Sequence, residues 1–292
     1  MNFLGDRLSV VVLGIAQDAG IPHAGCCCPR CQAAFTDRNL SQFAASIAIV
    51  DARQYPIRTW LVDASPDLKF QLELLRDALG PHPTKPDRLR QPDGVFLTHA
   101  HMGHTAGLVH FGPEAMAVDD LKLFASAGLV AFLRENFLWA PLADRLELVT
   151  IEPSEPIYLA PGLIVEPIPV PHRDEVGAGT FAYQISGETR KLLYLPDIDS
   201  WDQWTVVDEV LGQVDIALVD ATFFNKQEMP DAEPALHPPA IETVMRFRDL
   251  PTRIILSHLN HTNPLLDADS EERHLVEANG MEIAWTGQVF EL

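Results

Sequence analysis

Short apolar runs bounded by turn residues recur along the chain, and each run predicts a β-strand. The predicted strands are Leu8–Gly14, Ser46–Asp51, Thr59–Asp63, Gly94–Thr98, Lys122–Ser126, Leu163–Ile168, Phe181–Ile185, Lys191–Leu195, Asp215–Asp220, Arg253–Ser257 and Glu282–Trp285. Helical spacing of apolar residues predicts helices over Asp67–Leu79, Leu129–Phe137, Trp204–Leu211, Ile241–Arg248 and Ser270–Ala278. Because strands and helices alternate along the chain, the predicted class is α/β, with sheet in the centre and helices outside.

Two proline-rich segments interrupt this pattern. Gly80–Pro92 predicts a surface loop too short to separate domains, and Asn225–Pro239 predicts either a cover over a pocket or a solvated linker. We therefore expect one domain over residues 1–292.

Composition narrows the class of protein. The 292 residues carry 41 acidic and 21 basic side chains, a formal charge of -20, which argues against nucleic acid as a partner. No apolar stretch reaches the roughly 18 residues that a membrane span needs, and no signal-peptide pattern is visible, so we expect a cytoplasmic protein without membrane contact.

Three histidines directly follow one predicted strand. His99, His101 and His104 come after Gly94–Thr98, at the end of the strand where α/β sheets gather their ligands. Imidazole is a common ligand of zinc and of non-haem iron, so this crowding indicates a metal site. Further candidates follow later apolar runs, namely His172, Asp197 and His258.

In this order, the residues resemble the metallo-β-lactamase superfamily, whose pattern is H-x-H-x-D-H, a histidine, a bridging aspartate and a last histidine. The resemblance covers nearly the whole chain and implies an αββα sandwich with its metal site where the two sheets meet. It implies the following roles: His99, His101 and His172 hold a first metal, His104 and His258 serve a second, and Asp197 lies between them.

Gly103 departs from that pattern, because the family has an aspartate there that ligates only the second metal. Glycine cannot ligate, so we expect a weak second site and one ion more readily than two. The three-histidine set leaves an open position on the ion, where bound water can become hydroxide near neutral pH. Zinc, manganese and iron all remain candidates for the active-site ion.

All four cysteines lie between Cys26 and Cys31, which excludes long-range disulfides. The spacing of Cys26, Cys28 and Cys31 indicates a structural zinc knuckle, with His261 as the natural fourth ligand. Redox activity of the thiols is the alternative interpretation.

The cysteine knuckle, the stretch Asp63–Asp67 and the stretch His258–Pro264 resemble the pyrroloquinoline quinone biosynthesis B family. The knuckle and the H-x-x-H pair also resemble the cyclic phosphodiesterases of the carbon-phosphorus lyase pathway. The histidine cluster departs from the first family and Gly103 from the second, so neither resemblance transfers a substrate.

The leading functional prediction is a metal-dependent hydrolase, in which metal-bound hydroxide attacks a phosphodiester or ester of a small anionic metabolite. Asp197 and His237 are the predicted catalytic residues, with His237 as the proton donor. Iron-dependent oxidation of a quinone precursor and a non-catalytic metabolite carrier remain as alternatives. Superfamily members often pair, which leaves a homodimer open.

Overall fold

The computed structural model describes residues 5–174, 177–228 and 236–292, and its strands form two seven-stranded sheets. The strands are β1 Leu8–Gly14, β2 Ser46–Asp51, β3 Arg58–Val62, β4 Pro81–His82, β5 Lys85–Leu89, β6 Gly94–Phe96, β7 Leu121–Ala125, β8 Leu146–Thr150, β9 Ile157–Ala160, β10 Leu163–Pro169, β11 Phe181–Ser186, β12 Lys191–Leu195, β13 Ile216–Asp220, β14 Arg253–Ser257, β15 Glu282–Ile283 and β16 Val289–Glu291. One large sheet has the order β16-β1-β2-β3-β6-β7-β8, the other has the order β15-β14-β13-β12-β11-β10-β9, and β4 and β5 form a separate two-stranded sheet. The α-helices are α1 Pro29–Thr36, α2 Leu68–Leu74, α3 Arg76–Leu79, α4 Met102–Thr105, α5 Ala127–Glu135, α6 Ala140–Ala143, α7 Val207–Gly212, α8 Ala240–Phe247 and α9 Glu271–Ala278.

The central strands of both sheets are nearly continuously apolar because both faces of each sheet are buried there. Along β1, Val10 and Val12 face the core between the sheets, whereas Val11 and Leu13 face the core under α2, α3 and α5. Helices α7, α8 and α9 pack on the other sheet. The predicted αββα sandwich is confirmed.

The edges of the sheets differ from the prediction. Strands β8, β9 and β16 lie at sheet edges and were not predicted, because polar residues interrupt β8, whereas β9 is a four-residue run between two prolines and β16 has only three residues. The segment predicted as the loop Gly80–Pro92 contains the hairpin β4–β5, whose exposed and charged residues carry no apolar signal. Both corrections concern strands that bury little surface.

Helix boundaries also shift. The predicted helix Asp67–Leu79 is divided into α2 and α3 at Leu75, and α5 begins two residues before the predicted start because Ser126 caps it through Leu129 N–H. Helix α7 likewise begins at Val207 and not at Trp204. Within the predicted irregular stretch Asn225–Pro239, residues 229–235 lie outside the described residues. None of the described helices has the length and apolarity needed to span a bilayer.

The fold brings five strand ends to one edge of the sandwich. Strands β3 and β6 are parallel neighbours in one sheet, and β12, β13 and β14 are parallel neighbours in the other. Beyond β1, Ala16 bridges to Ala44 in one direction and to Leu259 in the other, which joins the two sheets at this edge. The side chains that follow these strands therefore converge.

Candidate metal centre

The first ligand group consists of His99, His101 and His172, from the loop after β6, the start of α4 and the loop after β10. Nδ1 of His101 lies 2.9 Å from Nε2 of His99 and 3.3 Å from Nε2 of His172. Two ligands of a tetrahedral zinc ion with Zn–N bonds of about 2.0 Å are about 3.3 Å apart. The three imidazoles fit one cation with an open fourth position.

The second ligand group adds a residue that the sequence analysis did not identify. Ligand atoms of Asp18, His104 and His258 lie within 4.8 Å of one another. Asp197 lies between the groups, with Oδ2 3.0 Å from Nε2 of His104 and 3.4 Å from Nε2 of His258, and Oδ1 3.9 Å from Nε2 of His172. A carboxylate from another part of the chain therefore lies beside His104 and His258 despite Gly103.

On one side of the pocket, Asp63 orients two of these imidazoles. Its Oδ2 accepts a hydrogen bond from Nδ1 of His104 at 2.7 Å. Its Oδ1 accepts the Thr98 hydroxyl at 2.9 Å, and that hydroxyl in turn accepts from Nδ1 of His99 at 2.9 Å. Both rings therefore use Nδ1 for these hydrogen bonds and direct Nε2 at the pocket, the arrangement that carboxylates impose on metal-binding histidines.

Asp220 repeats this arrangement on the opposite side. Its Oδ2 accepts from Nδ1 of His237 at 2.6 Å, and its Oδ1 accepts the Thr222 hydroxyl at 2.7 Å. That hydroxyl accepts from Nδ1 of His258 at 2.9 Å. Asp220 lies close enough to ligate, but because both of its oxygens are engaged we assign it to positioning.

Unpartnered buried atoms test whether a cation fits the pocket. Nε2 of His104, Nε2 of His258 and Oδ2 of Asp197 make no hydrogen bond, although each residue is at most 3% exposed. A buried polar atom without a partner destabilises the fold unless something satisfies it. Because Oδ2 of Asp197 lies 3.0 and 3.4 Å from the two nitrogens, one divalent cation bound among them would satisfy all three atoms.

Burial and neighbouring charges shift the pKa values of the buried ligand residues, in several cases in opposite directions. Burial holds the pKa of His99 well below its usual value, which keeps it a neutral ligand. Burial alone would lower the pKa of His104 too, but the carboxylates of Asp63 and Asp197 raise it well above its usual value. Burial opposes ionisation of Asp197, yet His258 and His104 hold its pKa well below the usual range. A cation would displace the His104 proton and satisfy the same carboxylate.

His237 lies beside the two ligand groups and is not a member of the group His99, His101 and His172. Its ring centroid is 5.6 Å from that of His172 and 5.9 Å from that of His258. Burial lowers its pKa, but the Asp220 carboxylate outweighs this effect and raises the pKa to about 9. The described structure therefore places a protonated imidazole at the edge of the metal pocket.

The knuckle residues also come together. Sγ of Cys26 and Sγ of Cys28 both lie 3.7 Å from Nδ1 of His261, and Cys31 completes the group. Sulfur and nitrogen ligands of one tetrahedral zinc ion are about 3.6 Å apart. Burial raises the pKa of the Cys31 thiol to about 11, so a cation is needed to hold it as a thiolate at neutral pH. Cys27 is exposed and outside the group.

The structure brings together every predicted ligand and adds Asp18. The histidines were visible in the sequence because they follow strand ends. The positioning roles of Asp63 and Asp220 carry a weaker signal of the same kind, an aspartate at or just after the end of a buried strand. Asp18 carries no such signal, since its place depends on how the loop after β1 folds.

The fold and the ligand pattern define the class of the protein. A family model described as a β-lactamase superfamily domain matches residues 58–259, and the chain belongs to that superfamily. The superfamily consists largely of metallo-hydrolases, but one fold can support many reactions.

Individual proteins with similar sequences or structures are known within and around this superfamily. Coenzyme PQQ synthesis protein B of Methylobacterium nodulans is 29% identical over 98% of this chain and 100% of its own length. The protein of that name from Azoarcus sp. is also 29% identical, over 98% of this chain and all of its own length. The Zn²⁺-bound PqqB crystal structure from Methylobacterium extorquens superposes with a TM-score of 0.80 at 25% identity, covering 97% of this chain and 100% of that one. A diphosphatase of the PhnP family superposes with a TM-score of 0.70 at 22% identity, covering 98% and 97%, which shows the shared fold.

Proposed function

We propose that this protein is a metal-dependent hydrolase that cleaves a phosphodiester or ester of a small anionic metabolite. The observation that carries the proposal is the convergence of His99, His101 and His172 beside a buried, unpartnered Asp197 oxygen. When bound, a zinc or manganese ion supplies a Lewis acid that polarises the scissile group and acidifies water.

The chain's own residues hold and orient the reacting groups. Asp63 and Asp220 fix the ring orientations through the hydrogen bonds described above, so little reorganisation is needed during reaction. Arg173 follows His172 and is near enough to His237 to lower its pKa. Its guanidinium lies 3.7 Å from Asp199 and adds positive charge at the edge of the pocket, where it would attract an anionic substrate.

A direct test combines metal content with turnover. The chain, purified without added metal, is analysed by mass spectrometry for zinc, manganese and iron, and is then assayed with bis(p-nitrophenyl) phosphate. We expect zinc or manganese in the pocket and hydrolysis that a chelator abolishes. Iron in the pocket, with oxygen consumption and no diester hydrolysis, contradicts the proposal.

Iron-dependent oxidation of a quinone precursor is the second candidate. The full-length similarity to coenzyme PQQ synthesis protein B favours it, and histidines beside a carboxylate also suit iron(II). A metabolite carrier without turnover is the third. Under the test above, the carrier binds metal but neither hydrolyses the diester nor consumes oxygen.

His237 gives the hydrolase proposal a sharper prediction. Replacing it by Asn should lower the rate with diphenyl phosphate about 100-fold, because a phenolate leaving group needs a proton. The loss of rate should be much smaller with bis(p-nitrophenyl) phosphate, whose leaving group departs readily as an anion. Pocket metal content should not change, and the exposed His274→Asn should behave as wild type. Equal losses of rate with both diesters would show that His237 is not the general acid.

The pH dependence follows from the same residue. A general acid works only while protonated, so the diphenyl phosphate rate should fall as the pH rises through the pKa of His237. That pKa is about 9 in the cation-free protein, and a bound cation nearby lowers it. The alkaline fall should be absent from the His237→Asn rate profile.

A further inference from the structure

The space beside Gly103 is filled by Asp18. A Cβ atom added at position 103 would lie 2.5 Å from Oδ1 and 2.7 Å from Cα of Asp18. Such distances are far inside van der Waals contact, so a side chain at 103 and the observed Asp18 exclude each other. The glycine in the histidine cluster thus makes room for a carboxylate from another part of the chain.

Backbone pairing holds Asp18 at this place. Leu259 N–H donates to Ile15 O at 2.7 Å, and Gln17 N–H donates to Leu259 O at 2.9 Å. The Asn260 side-chain amide donates to Gln17 Oε1. Asp18 itself has a φ of 42°, a left-handed conformation that Asp and Asn tolerate better than most residues. The residue is therefore fixed to the same unit that carries His258.

The possible ligand atoms around the Asp18 carboxylate form a complete set for one cation. The Asp18 carboxylate lies within 4.8 Å of the ligand nitrogens of His104 and His258. Both nitrogens are buried and make no hydrogen bond, and Oδ2 of Asp197 is 3.0 and 3.4 Å from them. Two carboxylates and two imidazoles balance the charge of one divalent cation and match its preferred ligands.

We propose that Asp18 is a ligand of the second cation and replaces, from the loop after β1, the carboxylate that Gly103 cannot provide. The pocket then has two full metal positions that share Asp197, contrary to the expectation of one ion from the sequence. The proposal shares the metal centre with the proposed function, but it is tested by counting ions, so either can fail without the other.

The experiment measures zinc per chain by mass spectrometry and pocket affinity by chelator competition. Wild type should bind two pocket ions in addition to the knuckle ion. Asp18→Asn keeps the size and turn preference of the side chain and removes its charge. It should lower the affinity for one pocket ion by about 100-fold or more, since even the loss of a residue that only supports a ligand lowers metal affinity 10- to 100-fold.

Two further variants separate ligation from folding. Gly103→Ala leaves Asp18 in the sequence but displaces its side chain, so it should lower the affinity for the same ion. Asp18→Gly combined with Gly103→Asp moves the carboxylate to position 103 and should recover part of that affinity. Asp120→Asn is the matched control, because Asp120 also has a positive φ, 49°, and belongs to no ligand group among the described residues. Knuckle zinc should persist in every variant. Two pocket ions at wild-type affinity in Asp18→Asn, or one pocket ion in saturated wild type, overturns the proposal.

Discussion

Replacing Asp197 by Asn will abolish hydrolysis and lower the affinity of the pocket for metal, while the knuckle keeps its zinc. Asp197 is 3% exposed and is the carboxylate that approaches His104, His172 and His258 together. Asn keeps the shape of the side chain and removes the charge that both metal positions share. We expect a fall in kcat/KM of about 1,000-fold or more, because a direct shared ligand is worth more than one supporting residue.

The matched control for this change is Asp202→Asn. Asp202 lies five residues further along the chain, is 86% exposed and pairs only with Arg246 among the described residues. It should retain both metal content and activity. Full activity in Asp197→Asn would mean that the pocket is not the reaction centre.

Replacing Cys28 by Ala will remove the knuckle zinc and lower thermal stability. Cys28 contacts His261 and caps α1 by accepting from Cys31 N–H at 3.4 Å. A structural zinc site contributes several kcal/mol of folding free energy, so we expect Tm to fall by about 10 °C or more. Pocket affinity should weaken too, because His258 and His261 belong to one loop.

Cys27→Ala is the internal control, since it changes a neighbouring exposed thiol outside the ligand group. It should leave zinc content and Tm unchanged. Equal effects of the two substitutions would indicate a general loss of the loop and not of a zinc ligand.

The buried framework was predictable because strands covered on both faces leave continuous apolar runs. Strand β12, at the centre of its sheet, was predicted residue for residue. Strand β9, at an edge, was missed because it is an apolar run of only four residues between Pro156 and Pro161. The hairpin β4–β5 was missed because its residues are mostly polar or charged and give no apolar run.

The site was predictable only as far as its residues follow strands. His99, His172 and His258 come soon after apolar runs, and the resemblance of the ligand order to the metallo-β-lactamase superfamily implied how they are grouped. Asp18 could not be placed, because its contact with Gly103 arises only when the loop after β1 pairs with Leu259. The shared use of Asp220 by His237 and by Thr222 likewise depends on loops that meet in space.

The central claim is that imidazoles from separate strand ends bind a cation next to Asp197. Anomalous X-ray diffraction at the zinc absorption edge, from crystals saturated with zinc, tests it most directly. The account predicts one peak among Cys26, Cys28, Cys31 and His261 and at least one other among His99, His101 and His172. A knuckle peak alone, with no density at the histidine cluster, would contradict it.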